Sequence, residues 1–99
     1  MVTSVSSGGI RPTSYFLYQN YPNPFNPISD IRYQISEFGY VKLAVCDLLG
    51  REVSILVNEK KPPGSYEVRF DGTGLASGVY FYRLQAGDFT QTKRLLLLR

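Results

Sequence analysis

The chain has 99 residues and a formal charge of +3, from 11 Lys and Arg against 8 Asp and Glu. It is of the commonest size for one domain built on one core, and its small basic surplus favours acidic partners but lacks the dense stripe of a nucleic-acid binder. With no His and a single Cys, it lacks the commonest general base and metal ligand at neutral pH and can form neither an internal disulfide nor a thiolate cluster.

The composition, with 8 Tyr and 6 Phe among 43% hydrophobic residues, leans toward strand. The opening "MVTSVSSGGIR" has no apolar signal-peptide core, so any export signal is expected upstream in a longer parent. Residues 1–14 are too poor in apolar side chains to repay their ordering entropy and are predicted to be a flexible linker, with residues 15–99 forming a β-sandwich. From there turn residues recur about every eight to twelve positions, the rhythm of an all-β sandwich or barrel.

"YFLYQN" at 15–20 predicts a first strand, and "YPNPFNP" at 21–27 then interrupts it. Its prolines fix φ near −65°, donate no backbone hydrogen bond and push each preceding residue toward extended geometry. The segment is therefore a rigid edge or turn that brings the linker onto the sandwich, with Tyr21 and Phe25 expected to pack. "SDIRYQIS" at 29–36 alternates, placing Ile31, Tyr33 and Ile35 on one face. "YVKLAVCD" at 40–47 places Val41, Leu43 and Val45 inward and Lys42, Ala44 and Cys46 outward, which would leave the thiol able to link two chains.

"DLLGR" at 47–51 is a turn with Gly50 at a left-handed position, and "REVSILVN" after it sets Val53, Ile55 and Val57 on one face. "EKKPPGS" at 59–65 is a polar crossing stiffened by prolines, followed by Tyr66, Val68 and Phe70 facing inward. "DGTGLASGVYFYRLQ" at 71–85 breaks the chain with three glycines and restarts it as an aromatic strand. Tyr80 fits the corner tyrosine of immunoglobulin-like sandwiches, whose hydroxyl bonds back to the backbone a few residues upstream, and Tyr82 falls where antibody domains carry a cysteine. "QAGD" at 85–88 is a hairpin turn before the last strand, "FTQTKRLLLLR". A two-residue loop pairs Tyr82 with Gln91 and a three-residue loop pairs it with Thr92, which turn opposite faces to the core; both registers stay open. The predicted fold is all-β, an immunoglobulin-like antiparallel sandwich of about seven strands, with a small open barrel as the alternative.

Little in the chain suits chemistry. The carboxylates fall at predicted turns and strand ends, where solvated or turn-capping acids belong, and a domain this small leaves little room for a cleft between two of them. No spacing resembles a Ca²⁺ loop, and Gly72, Gly74 and Gly78 precede no helix whose N-terminus would bind phosphate. No apolar stretch approaches the ~20 residues of a membrane span. No catalytic, metal or cofactor residue is assigned. The terminal "KRLLLLR" reads either as a core strand ending in charge or as an address recognised through backbone pairing and side-chain pockets.

Taken together, "LYQNYPNPFNP", "VCDLLGREV", "LASGVYFYRLQAG" and the basic-apolar terminus resemble the type A C-terminal sorting domain of type IX secretion cargo, over about residues 17–99. A related immunoglobulin-like domain of flagellar hook-capping proteins shares part of the pattern. The resemblance implies a non-catalytic β-sandwich attached to large secreted or surface proteins of Bacteroidetes and related bacteria. It implies a covalently attached N-terminal passenger that passes through the periplasm, crosses the outer membrane by the type IX secretion machinery, and ends at the cell surface or secreted. A sortase-like peptidase then removes the domain, often joining the passenger to anionic lipopolysaccharide; the cut is expected in or before residues 1–14. The family's motif positions fall on Pro22, Asn23 and Pro24, on Asp47, Gly50 and Arg51, and on Gly78 and Tyr80. Its terminal signal falls on Lys93, Arg94, Leu95, Leu96, Leu97, Leu98 and Arg99. No cofactor, nucleic acid or membrane span is implied. "ISDIRY" stands where "STTIRY" is usual, Cys46 where a tyrosine is common and Ser36 where a proline is. The competing readings are a passive immunoglobulin-like spacer or self-association module, and a carbohydrate-binding module.

Overall fold

Alternation of apolar and polar side chains gives each strand one face to bury, and two such sheets bury their faces against each other. The computed structural model describes residues 13–98. Most of the expected linker, and Arg99, lie outside the described residues. Seven strands follow in chain order: β1 Phe16–Leu17, β2 Ile28–Ile35, β3 Gly39–Cys46, β4 Glu52–Lys61, β5 Gly64–Asp71, β6 Gly78–Ala86 and β7 Phe89–Leu97. They form a three-stranded sheet ordered β1-β2-β5 and a four-stranded sheet ordered β4-β3-β6-β7, with every pairing antiparallel. This is the predicted immunoglobulin-like sandwich of seven strands.

The alternation in β2 and β3 is realised as read, with Ile31, Tyr33 and Ile35 facing Val41, Leu43 and Val45 across the core. Phe70, Tyr80, Tyr82, Leu84, Leu95 and Leu97 belong to the same core, with Leu17, Phe25, Val57 and Ala86. Of the β3 side chains expected to face outward, Lys42 stays partly exposed and pairs with Glu52, but Ala44 is covered and Cys46 is only 5% exposed. β3 is an inner strand of its sheet, so its small outward residues lie beneath larger neighbours. Ala44 sits between Ile55 and Arg83, and Cys46 between Glu52 and Phe81. The thiol is thus shielded instead of presented for linking two chains.

In β4 the expected common face is broken. Val57 is buried, while Val53 is exposed and Ile55 is 50% exposed. Two register shifts in the β3 and β4 pairing, at Leu43/Ala44 and at Val45/Cys46, cause this. Each inserts an extra β4 residue, and a one-residue slip carries a side chain to the opposite face.

The first strand is shorter than "YFLYQN" suggested. After Leu17 the Tyr18 amide still donates to the Arg32 carbonyl at 3.0 Å, but regular pairing resumes only at Tyr21, which exchanges both hydrogen bonds with Asp30. The polar crossing also shrinks, because β4 runs to Lys61 and β5 begins at Gly64, leaving Pro62 and Pro63 to carry the chain from one sheet to the other. At the last hairpin neither expected register is found. The loop has two residues, Gly87 and Asp88, and closes on Ala86 and Phe89, so Tyr82 pairs with Lys93 and Leu95 and Leu97 face the core.

Candidate functional site

The proline segment is placed by its polar neighbours. Asn20 is 3% exposed; its amide Nδ2 donates to the Pro22 carbonyl at 3.1 Å and to Ser29 Oγ at 2.8 Å, and Ser29 Oγ donates in turn to Pro22 O at 2.8 Å. Most buried polar groups are paired in this way, because an unpaired one costs free energy. The Asn20 backbone N–H donates to Tyr82 Oη at 2.7 Å, and the Tyr82 hydroxyl donates to the Tyr18 carbonyl at 2.7 Å. That bridge ties the segment to β6 in the other sheet. The peptide bonds before Pro22, Pro24 and Pro27 are cis.

So held, the segment lies along the free edge of β7. Gln19 Nε2 donates to the Arg94 carbonyl at 2.7 Å, and the Leu96 N–H donates to Asn23 Oδ1 at 2.9 Å. The Phe25 N–H donates to Leu96 O at 3.0 Å and the Leu98 N–H to Phe25 O at 2.9 Å, making a parallel bridge between Phe25 and Leu97. Phe25 is buried against Phe70, with ring centroids 5.8 Å apart. Gly72 makes room for it: a Cβ there would lie 3.3 Å from Leu97 Cδ2 and from Pro27 O and 3.4 Å from Phe25 Cε2. Tyr21, expected to pack beside Phe25, is instead 80% exposed. The prolines on either side of Phe25 stiffen a clip whose single inward side chain is Phe25. An exposed sheet edge is a template for unwanted pairing, and this clip occupies it.

The 47–51 turn is held by Asp47. Its Oδ1 accepts from the N–H groups of Leu49 at 2.9 Å and Arg51 at 3.0 Å, and its Oδ2 accepts from Arg51 Nε at 2.8 Å. Gly50 takes the left-handed conformation at φ 83°. Partial desolvation works against the carboxylate, but the hydrogen bonds from Arg51 and Leu49 outweigh it and hold the Asp47 carboxyl below its ordinary value. Tyr80 makes the expected corner, donating to the Ala76 carbonyl at 2.6 Å.

Of the motif positions, Asn23, Pro24, Asp47, Arg51, Gly78 and Tyr80, scattered through the sequence, meet at one end of the sandwich, while Pro22 and Gly50 lie outside the two hollows there. β3 ends there and β6 begins there, with Cys46 paired to Phe81 and Gly78 to Leu97. Two hollows share Val79: one of about 350 Å³ between Asn23 and Pro24 and the Arg94–Leu96 strand, the other of about 220 Å³ beside Asp47, Arg51, Gly78 and Tyr80. Of the residues expected to carry the terminal signal, Leu95 and Leu97 are core, Lys93 and Leu96 are half-buried, and Arg94 and Leu98 are exposed. With the clip on the β7 edge, the Leu96 N–H and C=O and the Leu98 N–H are already engaged within the domain.

Sequence reasoning missed Gln19, Asn20 and Ser29 as the anchors of the clip. Ser29 carried a signal, since it stands in phase with Ile31, Tyr33 and Ile35, and a polar residue at an inward position needs a partner. No group of three or more His, Cys, Asp or Glu that would hold a metal ion occurs among the described residues.

A sandwich with this clip and corner defines an immunoglobulin-like domain whose marked residues gather at one end. Residues 19–98 match the secretion system C-terminal sorting domain family, and the chain belongs to it. Among solved structures it is similar to dimeric latent PorU from Porphyromonas gingivalis, at 19% identity and a TM-score of 0.66, covering 98% of this chain and 10% of that one. At that identity the likeness concerns the fold. A comparison with curated proteins gives no match.

Proposed function

We propose that this domain is a non-catalytic address that takes an attached N-terminal passenger through the periplasm and across the outer membrane by type IX secretion. A sortase-like peptidase then removes it by a cut in or before residues 1–14, leaving the passenger at the surface or secreted. Membership of the sorting-domain family supports the reading. The observation that carries it further is the convergence of Asn23, Pro24, Asp47, Arg51, Gly78 and Tyr80 with Arg94 and Leu96 at one end of the fold.

The chain enters from the other end. Tyr15 stacks on Phe89 beside the last hairpin, with centroids 5.4 Å apart, and the Ser14 carbonyl accepts from Gln34 Nε2 at 3.2 Å. A passenger joined there leaves the motif end free. No helix among the described residues is long and apolar enough to cross a membrane.

The test is export of a fluorescent passenger fused to residues 1–99 behind a secretory signal, in a bacterium possessing type IX secretion. Deleting residues 93–99 would remove Leu95 and Leu97 from the core and confound recognition with unfolding. The informative variant is Arg94→Glu with Leu98→Ser, which changes exposed side chains only. The parent should reach the surface while the variant stays folded in the periplasm. A folded parent that is not exported would sink the sorting reading and favour a spacer; equal export of both would remove Arg94 and Leu98 from the signal.

A further inference from the structure

The 47–51 turn holds two adjacent leucines in water: Leu48 is 68% exposed and Leu49 78%. The loop is rigid. Besides the three bonds to the Asp47 carboxylate, the Asp47 N–H donates to Arg51 O at 2.9 Å and the Gly50 N–H to Asp47 O at 3.0 Å. Turn tips accept polar residues readily, so leucines fixed outside the core contribute nothing to folding that would explain them. An apolar side chain displayed without freedom to collapse is instead suited to contact, because little ordering entropy is lost when a partner arrives.

The surroundings supply relief and charge. Leu48 and Leu49 flank the hollow of about 220 Å³, and Val79 borders both it and the hollow of about 350 Å³ that Leu96 also lines. Arg94 is exposed, and Arg51 gives Asp47 only its Nε, its side chain being 73% exposed. A guanidinium has five N–H donors, so others remain for a carboxylate. The Arg51–Asp47 pair is neutral overall, so the net positive charge of the rim is that of Arg94.

We propose that Leu48, Leu49, Val79 and Leu96, rimmed by Arg51 and Arg94, form the surface that docks on the secretion machinery, and that its partner there is a protein face with apolar side chains inside an acidic rim. Hollows beside a turn fixed by hydrogen bonds match a shaped protein surface better than fluid lipid. This rests on the sorting reading and adds which side chains engage and what they engage.

The same export assay tests it, with Leu48→Ser/Leu49→Ser compared against Val53→Ser/Ile55→Ser on exposed β4. Thermal unfolding controls for folding; should the first variant melt early, Leu49→Gln alone replaces it. Surface passenger should fall about tenfold or more for the turn variant, the effect of losing buried interface anchors, and stay at the parent's level for the β4 variant. Equal export of parent and turn variant overturns the proposal and leaves the sorting reading standing, as does an equal loss in both variants. A folded parent that is not exported fails the sorting reading and the proposal with it. Purified domain is also sedimented with phosphatidylglycerol and phosphatidylethanolamine vesicles; binding that depends on Leu48 and Leu49 would make lipid the occupant and overturn the assignment to protein.

Discussion

Three tyrosine hydroxyls inside the sandwich have different company. Tyr82 Oη accepts from Asn20 N–H and donates to Tyr18 O, Tyr80 Oη donates to Ala76 O, and Tyr33 Oη is buried with no hydrogen-bond partner among the described residues. Removing one partner of a buried pair costs about 1–3 kcal/mol, while removing an unpaired hydroxyl removes a penalty. Tyr82→Phe should therefore lower the midpoint of thermal unfolding, by about 4–8 °C for each kcal/mol. Tyr33→Phe should leave it unchanged or raise it; circular dichroism melts of the two variants check both. Asp47 makes a pH prediction at the same scale. Its carboxyl titrates below the ordinary range because Arg51 and Leu49 stabilise the charged form against partial desolvation. That contribution is complete above the unfolded value near pH 4 and is lost as the pH falls through the lower folded value. Asp47→Asn should flatten the acid side of the stability profile, leaving the part due to Asp71, which hydrogen bonds from Thr73 also hold low.

At the scale of elements, what was legible depended on sequence distance. The alternation of Ile31, Tyr33 and Ile35 and of Val41, Leu43 and Val45 is local, and it located β2 and β3 and their buried faces. Gly50 and Tyr80 announced their turns for the same reason. The β4 bulges left no mark, because an inserted residue is defined by the partner strand and not by the strand that carries it. The clip's rigidity could be read from its prolines, but its target could not, since Asn23 meets Leu96 across 73 positions. The clip's dependence on one apolar side chain is open to measurement. Phe25→Ala should cost about 3–5 kcal/mol, a large share of the ~5–15 kcal/mol that stabilises a domain. Amide hydrogen exchange should then accelerate at Leu96 and Leu98, whose N–H groups the clip occupies, before it does so in β3.

For the whole molecule, burial of aromatics sets an alkaline limit. Desolvation pushes the hydroxyls of Tyr33 and Tyr82 up to about 12, whereas in the unfolded chain they ionise near pH 10. The folded state favours the neutral hydroxyls, so their contribution is complete below about pH 10 and lost as the pH rises toward about 12. Chemical denaturation midpoints measured from neutral pH upward should stay level and then fall in that window, and Tyr33→Phe should shallow the fall. The clip has one more consequence for the molecule as a whole. Gln19, Asn23 and Phe25 make their hydrogen bonds across the sandwich to Arg94, Leu96 and Leu98, so an early part of the fold waits for a late one to be synthesised. A chain cut short before Leu95 lacks both the edge that the clip grips and the two leucines that fill the core beneath it. Closure of this domain thereby reports that translation has run at least through Leu98.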